Sequence, residues 1–125
     1  MSDEVRALIE RYNDAWNRHD LDAICSMHTP DMVFENHTVG ERAAGDDVRG
    51  HIASIFANWP DIAFEGRRLY ATPALAVCEW TASATRDGQT LSWPGVDVFP
   101  IRDGRIARKD VYSGSGRAKP PDPSG

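Results

Sequence analysis

The stretch GVDVFPIRDGRIARKDVY, residues 95–112, decides the fold. Asp103-Gly104 is a two-residue hairpin turn signal, and β-branched and aromatic residues flank it on both sides. It predicts one strand over 90–101 and another over 105–112. Asp87-Gly88 repeats the signal upstream and closes a long strand over 74–86. There Ala74, Ala76, Cys78, Trp80, Ala82 and Ala84 form an apolar face, and the opposite face turns polar after Val77. Residues 62–71 supply one more strand, bent near Gly66. The second half therefore reads as a curling antiparallel sheet.

The first half reads as helices. Val5, Leu8, Ile9, Tyr12 and Trp16 recur at three-and-four spacing, the mark of one apolar helical stripe. Asn17-Arg18-His19 ends that helix, and Asp20 caps a short second one carrying Leu21, Ile24 and Met27 or His28, ended by Pro30-Asp31. Residues 32–37 form a short extended piece, and 38–45 read as a loop. A third helix opens at Gly45 or Asp46, with Val48, Ile52, Ile55, Phe56 and Trp59 as its stripe and Pro60 as its stop. Both stripes, including Phe56 and Trp59, are expected to be buried against the sheet. Three helices before a sheet make an α+β domain.

The chain has 125 residues, of which 41% are hydrophobic, enough for one domain with its own core. A net charge of −5 lacks the basic footprint of a nucleic-acid binder. No apolar run approaches the length of a membrane span. The opening Met1-Ser2-Asp3-Glu4 does not resemble a secretion signal. Cys25 and Cys78 form no CxxC pair, so a reduced, cytoplasmic protein is expected. His19, His28, His37 and His51 make no tight ligand motif, and GxGxxG and GxSxG are absent. Neither a metal nor a cofactor is expected. Residues 113–125, SGSGRAKPPDPSG, read as a flexible tail after a single domain over 1–112.

Strand parity places Trp93, Gly95, Asp97 and Phe99 on one face of their strand. An aspartate between two aromatic rings has two readings. On a core face it needs a partner or a raised pKa, which suits a proton donor to a forming oxyanion. On a solvent face it is structural. Gly95 beside it leaves room for a ligand, and Arg108 on the next strand is the cation within its reach. Arg108, Asp110 and Tyr112 share a parity. Asp110 is either a pocket carboxylate flanked by Arg108 and Tyr112 or part of a surface ion pair. Glu35-Asn36-His37 gathers an acid, an amide and an imidazole, with His37 either a base or a loop histidine. Tyr12 is either core with one hydrogen bond or a pocket hydroxyl.

The segments RYNDAWNRHDLDAI (11–24), FENHTVG (34–40), GDDVRGHI (45–52) and the opening stretch together resemble the nuclear transport factor 2-like superfamily. The resemblance is to its SnoaL-type polyketide cyclases, ketosteroid isomerases and limonene epoxide hydrolases. It implies a cone-shaped α+β barrel, a curved antiparallel sheet around a pocket closed by three helices, and a homodimer packed sheet to sheet. Resemblance to the isomerases gives Tyr12 and Asp97 an oxyanion-binding role and puts a base near Glu35 or His37. In the hydrolase pattern Asn36 and Asp110 match water-holding residues. Phe34 stands at a tyrosine, and Trp80 and Ala82 replace an arginine–aspartate pair, which argues against epoxide opening. The cyclases use an aspartate as general acid–base in an aldol closure.

These readings converge on an acid–base enzyme acting on an apolar carbonyl compound of polyketide or terpenoid kind, by cyclisation, isomerisation or dehydration. Asp97, Tyr12, His37 and Asp110 are its candidate catalytic residues. Phe34, Asn36, Trp59, Trp80, Trp93, Phe99 and Tyr112 are its candidate substrate-binding residues. The alternatives are a non-catalytic binding module and a structural dimerisation domain. A cavity touching Asp97 and a second titratable group favours the enzyme.

Overall fold

The computed structural model describes residues 2–114. Helix α1 (Asp3–Asn17) starts where Ser2 Oγ accepts the Val5 N–H at 3.0 Å, with Asp3 and Glu4 favouring its positive end. Helix α2 (Leu21–Ser26) starts at Asp20, whose carboxylate accepts the Ala23 N–H at 3.1 Å. Helix α3 (Asp47–Asn58) follows Gly45, whose φ of +57° makes the turn. The strands are β1 (His28–Asn36), β2 (Glu41–Ala44), β3 (Ala63–Ala71), β4 (Leu75–Arg86), β5 (Gln89–Arg102) and β6 (Arg105–Ser113).

The six strands form one sheet in the order β2-β1-β6-β5-β4-β3. Both predicted hairpin turns are present, with positive φ at Asp87, Gly88, Asp103 and Gly104. The sheet differs from the expected barrel in two ways. It is open, with β2 and β3 as its edges, and it is not wholly antiparallel, because β1 pairs parallel with β6. The segment read as a loop over 38–45 holds β2, paired antiparallel to β1. β3 carries an extra residue between Gly66 and Leu69, so it bends there as predicted.

α1 packs on β3 and β4, and α3 lies over β2 and β1. Between helices and sheet sit Ile9, Tyr12, Ile24, Ile52, Phe99 and Ile106, all without solvent exposure. Phe56 and Trp59 are half-buried rather than enclosed. Trp59 lies just past the end of α3, where one side of its ring faces a cavity instead of the core. Ser113 and Gly114, read as the start of the tail, belong to the body. The Ser113 N–H donates to Thr38 Oγ1 at 2.8 Å, and the Gly114 N–H donates to the Pro94 carbonyl at 2.8 Å. The rest of the expected tail, 115–125, lies outside the described residues.

Candidate active site

The concave face of the sheet and the helices enclose a cavity of about 510 Å³. All four tryptophans of the chain, Trp16, Trp59, Trp80 and Trp93, line it. Registry explains how the strands deliver the other wall residues. β5 brings in Asp97, opposite Cys78 on β4 and Val111 on β6. β1 brings in Phe34 and Asn36, opposite Lys109 and Val111 on β6. The span Val98–Ile101 of β5 faces Ile106–Asp110 of β6, so β6 holds one residue more. That bulge reverses the alternation. Ile106 is buried, yet Lys109 also points inward, while Arg108 and Asp110 point out.

Asp97 and Lys109 face each other at the cavity wall. Their side chains are 6% and 7% exposed, and Lys109 Nζ lies 3.8 Å from Asp97 Oδ2. The ammonium position sits 3.9 Å from the Trp16 ring centroid and 5.0 Å from those of Tyr12 and Phe34. Burial raises the Asp97 carboxyl above the usual carboxylate range, and the Lys109 charge opposes it. Burial lowers the Lys109 amine, with Asp97 opposing. The cation near Asp97 is therefore Lys109 and not Arg108. Gly95 also serves otherwise than expected, because a Cβ there would collide with the Trp80 ring. The space goes to the indole, not to a ligand.

Among the described residues four buried side-chain polar atoms lack a hydrogen-bond partner: Trp16 Nε1, His51 Nε2, Trp80 Nε1 and Asp97 Oδ1. All four belong to cavity-lining residues. Buried polar atoms are normally paired, so this clustering marks where a polar group of a ligand or a water belongs.

Several expected site residues lie elsewhere. Tyr12 is fully buried, and its hydroxyl pairs with His28 Nε2 at 2.9 Å instead of lining the cavity. Phe99 packs edge-on against Tyr12 in the core, with centroids 5.6 Å apart. His37, Asp110 and Tyr112 occupy the convex face. There His37 stacks on Tyr112 at 4.5 Å, and its Nε2 lies 2.7 Å from Asp110 Oδ1. Arg108 Nε donates to both Asp110 oxygens at 2.9 Å, and its NH2 group donates to Glu35 at 2.6 Å. Burial opposes ionisation of Asp110, but the hydrogen bonds from Arg108 and His37 outweigh it and hold the carboxyl below its usual range.

Glu35, His37 and Asp110 bring three potential metal-ligand atoms within 4.8 Å of one another, a grouping the sequence reading missed. The Arg108 guanidinium already occupies both carboxylates, so the cluster is better described as an ion-pair network. Phe34, Asn36, Trp59, Trp80 and Trp93 do line the cavity, but the Asn36 carboxamide is committed to its own turn, accepting the Thr38 N–H at 3.1 Å. Lys109, Trp16 and His51 were not singled out by the sequence reading.

An open, curved six-stranded sheet closed by three helices over an aromatic cavity is the cone of the nuclear transport factor 2-like proteins. The sequence pattern of the SnoaL-like domain matches residues 9–109, and the chain belongs to that family. No curated protein sequence matches. Among solved structures, an inferred polyketide cyclase of Xanthomonas campestris pv. campestris is 26% identical, with a TM-score of 0.69 over 87% of this chain and 89% of its own. AclR, an inferred hydroxylase of Streptomyces galilaeus, is 24% identical, with a TM-score of 0.76 over 88% and 78%. An inferred ketosteroid isomerase of Kribbella flavida is 20% identical, with a TM-score of 0.76 over 97% and 85%.

Proposed function

We propose that the protein is an acid–base enzyme for an apolar carbonyl compound, with Asp97 as the group that gives and takes the proton. The observation that carries this reading is the Asp97 carboxyl itself: on a buried side chain, with one oxygen unpartnered, on the wall of an aromatic cavity. Such a group is protonated more readily than an ordinary aspartate, so it can donate to a carbonyl oxygen and accept a proton from the adjacent carbon. Trp16 and Trp80 add two unpartnered N–H donors among the cavity-lining residues. Phe34, Trp59, Trp80 and Trp93 supply flat apolar walls, which suits a cyclic substrate of polyketide or terpenoid kind. Cyclisation, isomerisation and dehydration share the enol or enolate that this arrangement stabilises. The cavity also touches Lys109 and His51, so a second titratable group is at hand, which favours an enzyme over a passive binding module.

The test is proton exchange. Incubating the protein with aryl alkyl ketones in deuterated water is expected to place deuterium next to the carbonyl. Asp97→Asn is expected to slow this by about 10²–10⁴-fold while the ketone still binds. Exchange no faster than in buffer, or unaffected by Asp97→Asn, would reject the reading. We further place the homodimer contact on the convex face. Val77, Val96 and Val98 are half-buried there, and Tyr70 and Tyr112 are 57% and 45% exposed. The two free cysteines and the lack, among the described residues, of a helix able to cross a membrane fit the cytoplasmic setting proposed for it.

A further inference from the structure

The chain carries twelve arginines but only two lysines, Lys109 and Lys119. Every basic side chain in the described body other than Lys109 is therefore an arginine or a histidine. A guanidinium stays protonated in a protein, whereas a desolvated amine can give up its proton and become a nucleophile. The one amine side chain of the body is the one placed in the cavity, with its residue 6% exposed.

Its surroundings are poor for a structural ion pair. At 3.8 Å, Lys109 Nζ and Asp97 Oδ2 are too far apart for a hydrogen bond, and Asp97 Oδ1 has no partner. A buried pair held for stability would close that gap and satisfy the remaining lone pairs. Instead the amine stands over the Trp16 ring, beside a carboxyl with one free oxygen, facing open space. An amine, a proton shuttle and an aromatic pocket are what condensation with a carbonyl requires.

We infer that Lys109 is a nucleophile that joins the carbonyl carbon of an aldehyde or ketone as an iminium ion, an inference that rests on the carbonyl-handling reading above. The neutral amine attacks the carbonyl carbon and the C–N bond forms. The Asp97 carboxylic acid protonates the carbonyl oxygen, and the resulting carboxylate then takes a proton from the new ammonium nitrogen. Asp97 returns that proton to the hydroxyl group, the C–O bond breaks, and water leaves. The products are the iminium ion, the Asp97 carboxylate and one water. That carboxylate lies next to the carbon acidified by the iminium and can remove its proton to give an enamine, the carbon nucleophile of an aldol-type closure. Hydrolysis of the iminium by the reverse steps frees the amine.

The experiment incubates the full chain with 2-naphthaldehyde and sodium cyanoborohydride at neutral pH, followed by intact mass measurement and peptide mapping. The expected result is one reduced adduct, on Lys109, at least ten times faster than any on Lys119 or the terminal amine. Asp97→Asn keeps the lysine and is expected to slow trapping at least tenfold. Lys109→Arg, checked for folding by circular dichroism, is expected to abolish it. Because the site is mapped on the unaltered chain, a Lys109→Arg protein that does not fold leaves that readout decisive. Adducts confined to Lys119 or the terminus would overturn the inference. So would the lack of an adduct while the aldehyde quenches the fluorescence of the cavity tryptophans. Deuterium exchange into ketones that survives in folded Lys109→Arg would overturn the iminium but leave acid–base catalysis by Asp97 standing. Loss of binding, trapping and exchange in the unaltered chain would overturn both.

Discussion

At the scale of single residues, the buried polar groups were unequally legible. Asp97 stood out because its strand gave it aromatic neighbours of the same parity, and the structure buries it. Lys109 did not stand out, because a lysine within ARKD reads as solvated charge. Its inward direction depends on the β6 bulge, which alternation alone does not contain. His28 was read only as an optional member of the α2 stripe. It is buried against the Tyr12 hydroxyl, and burial with the nearby Lys109 lowers its pKa from the ordinary 6.5 to about 4. Its folded value lies below its unfolded one, so its contribution to stability is present above pH 6.5 and lost as pH falls through 4. The full loss amounts to roughly 3 kcal/mol. Urea unfolding at pH 7 and pH 4.5 is expected to show a marked acid weakening, flattened in His28→Gln. An unchanged pH slope in that variant would assign the weakening to other groups.

At the scale of elements, signals that are local in sequence carried well. Helical stripes, the Asp20 cap and the two Asp-Gly turns need only neighbouring residues, and the structure contains each. β2 was missed because Glu41-Arg42-Ala43-Ala44 has no alternation and no β-branched residue, and its strand character comes from pairing with β1. The parallel β1–β6 pair was missed for the same reason at longer range. The convex position of His37, Asp110 and Tyr112 followed from β6 phase, where family likeness had pointed into the pocket. Gly95 offers a direct test of how β4 and β5 fit. Gly95→Ala is expected to cost about 1–3 kcal/mol, because the added methyl group meets the Trp80 ring. Trp80→Leu in the same chain is expected to remove most of that penalty. A double-mutant cycle by urea denaturation measures the coupling, and additive effects would show that the ring can move aside at no cost.

At the scale of the whole molecule, the cavity lies on the concave face and the ion-pair network on the convex one, so the two are separated by the thickness of the sheet. A second copy covering the convex face would desolvate Glu35, His37, Arg108 and Asp110 without touching the cavity. Tyr112→Glu is therefore expected to shift the mass measured by light scattering from dimer to monomer while ketone exchange at Asp97 is retained. A dimeric Tyr112→Glu protein would move the contact elsewhere, and a monomeric unaltered chain would overturn the dimer itself.

The strand order also bears on how the chain reaches its folded state. Among the described residues β6 is the last strand made, yet it sits inside the sheet, bonded to β1 on one side and β5 on the other. As the polypeptide is synthesised, β2 can pair with β1, and β3, β4 and β5 can zip together as hairpins, but β1 lacks its second neighbour until β6 arrives. Joining the two halves requires closing a loop from residue 28 to residue 106, the slow kind of step in folding. Until then the edges of β1 and β5 that β6 will join are open to other nascent chains, so the emerging protein passes through a window of vulnerability that the finished sheet conceals.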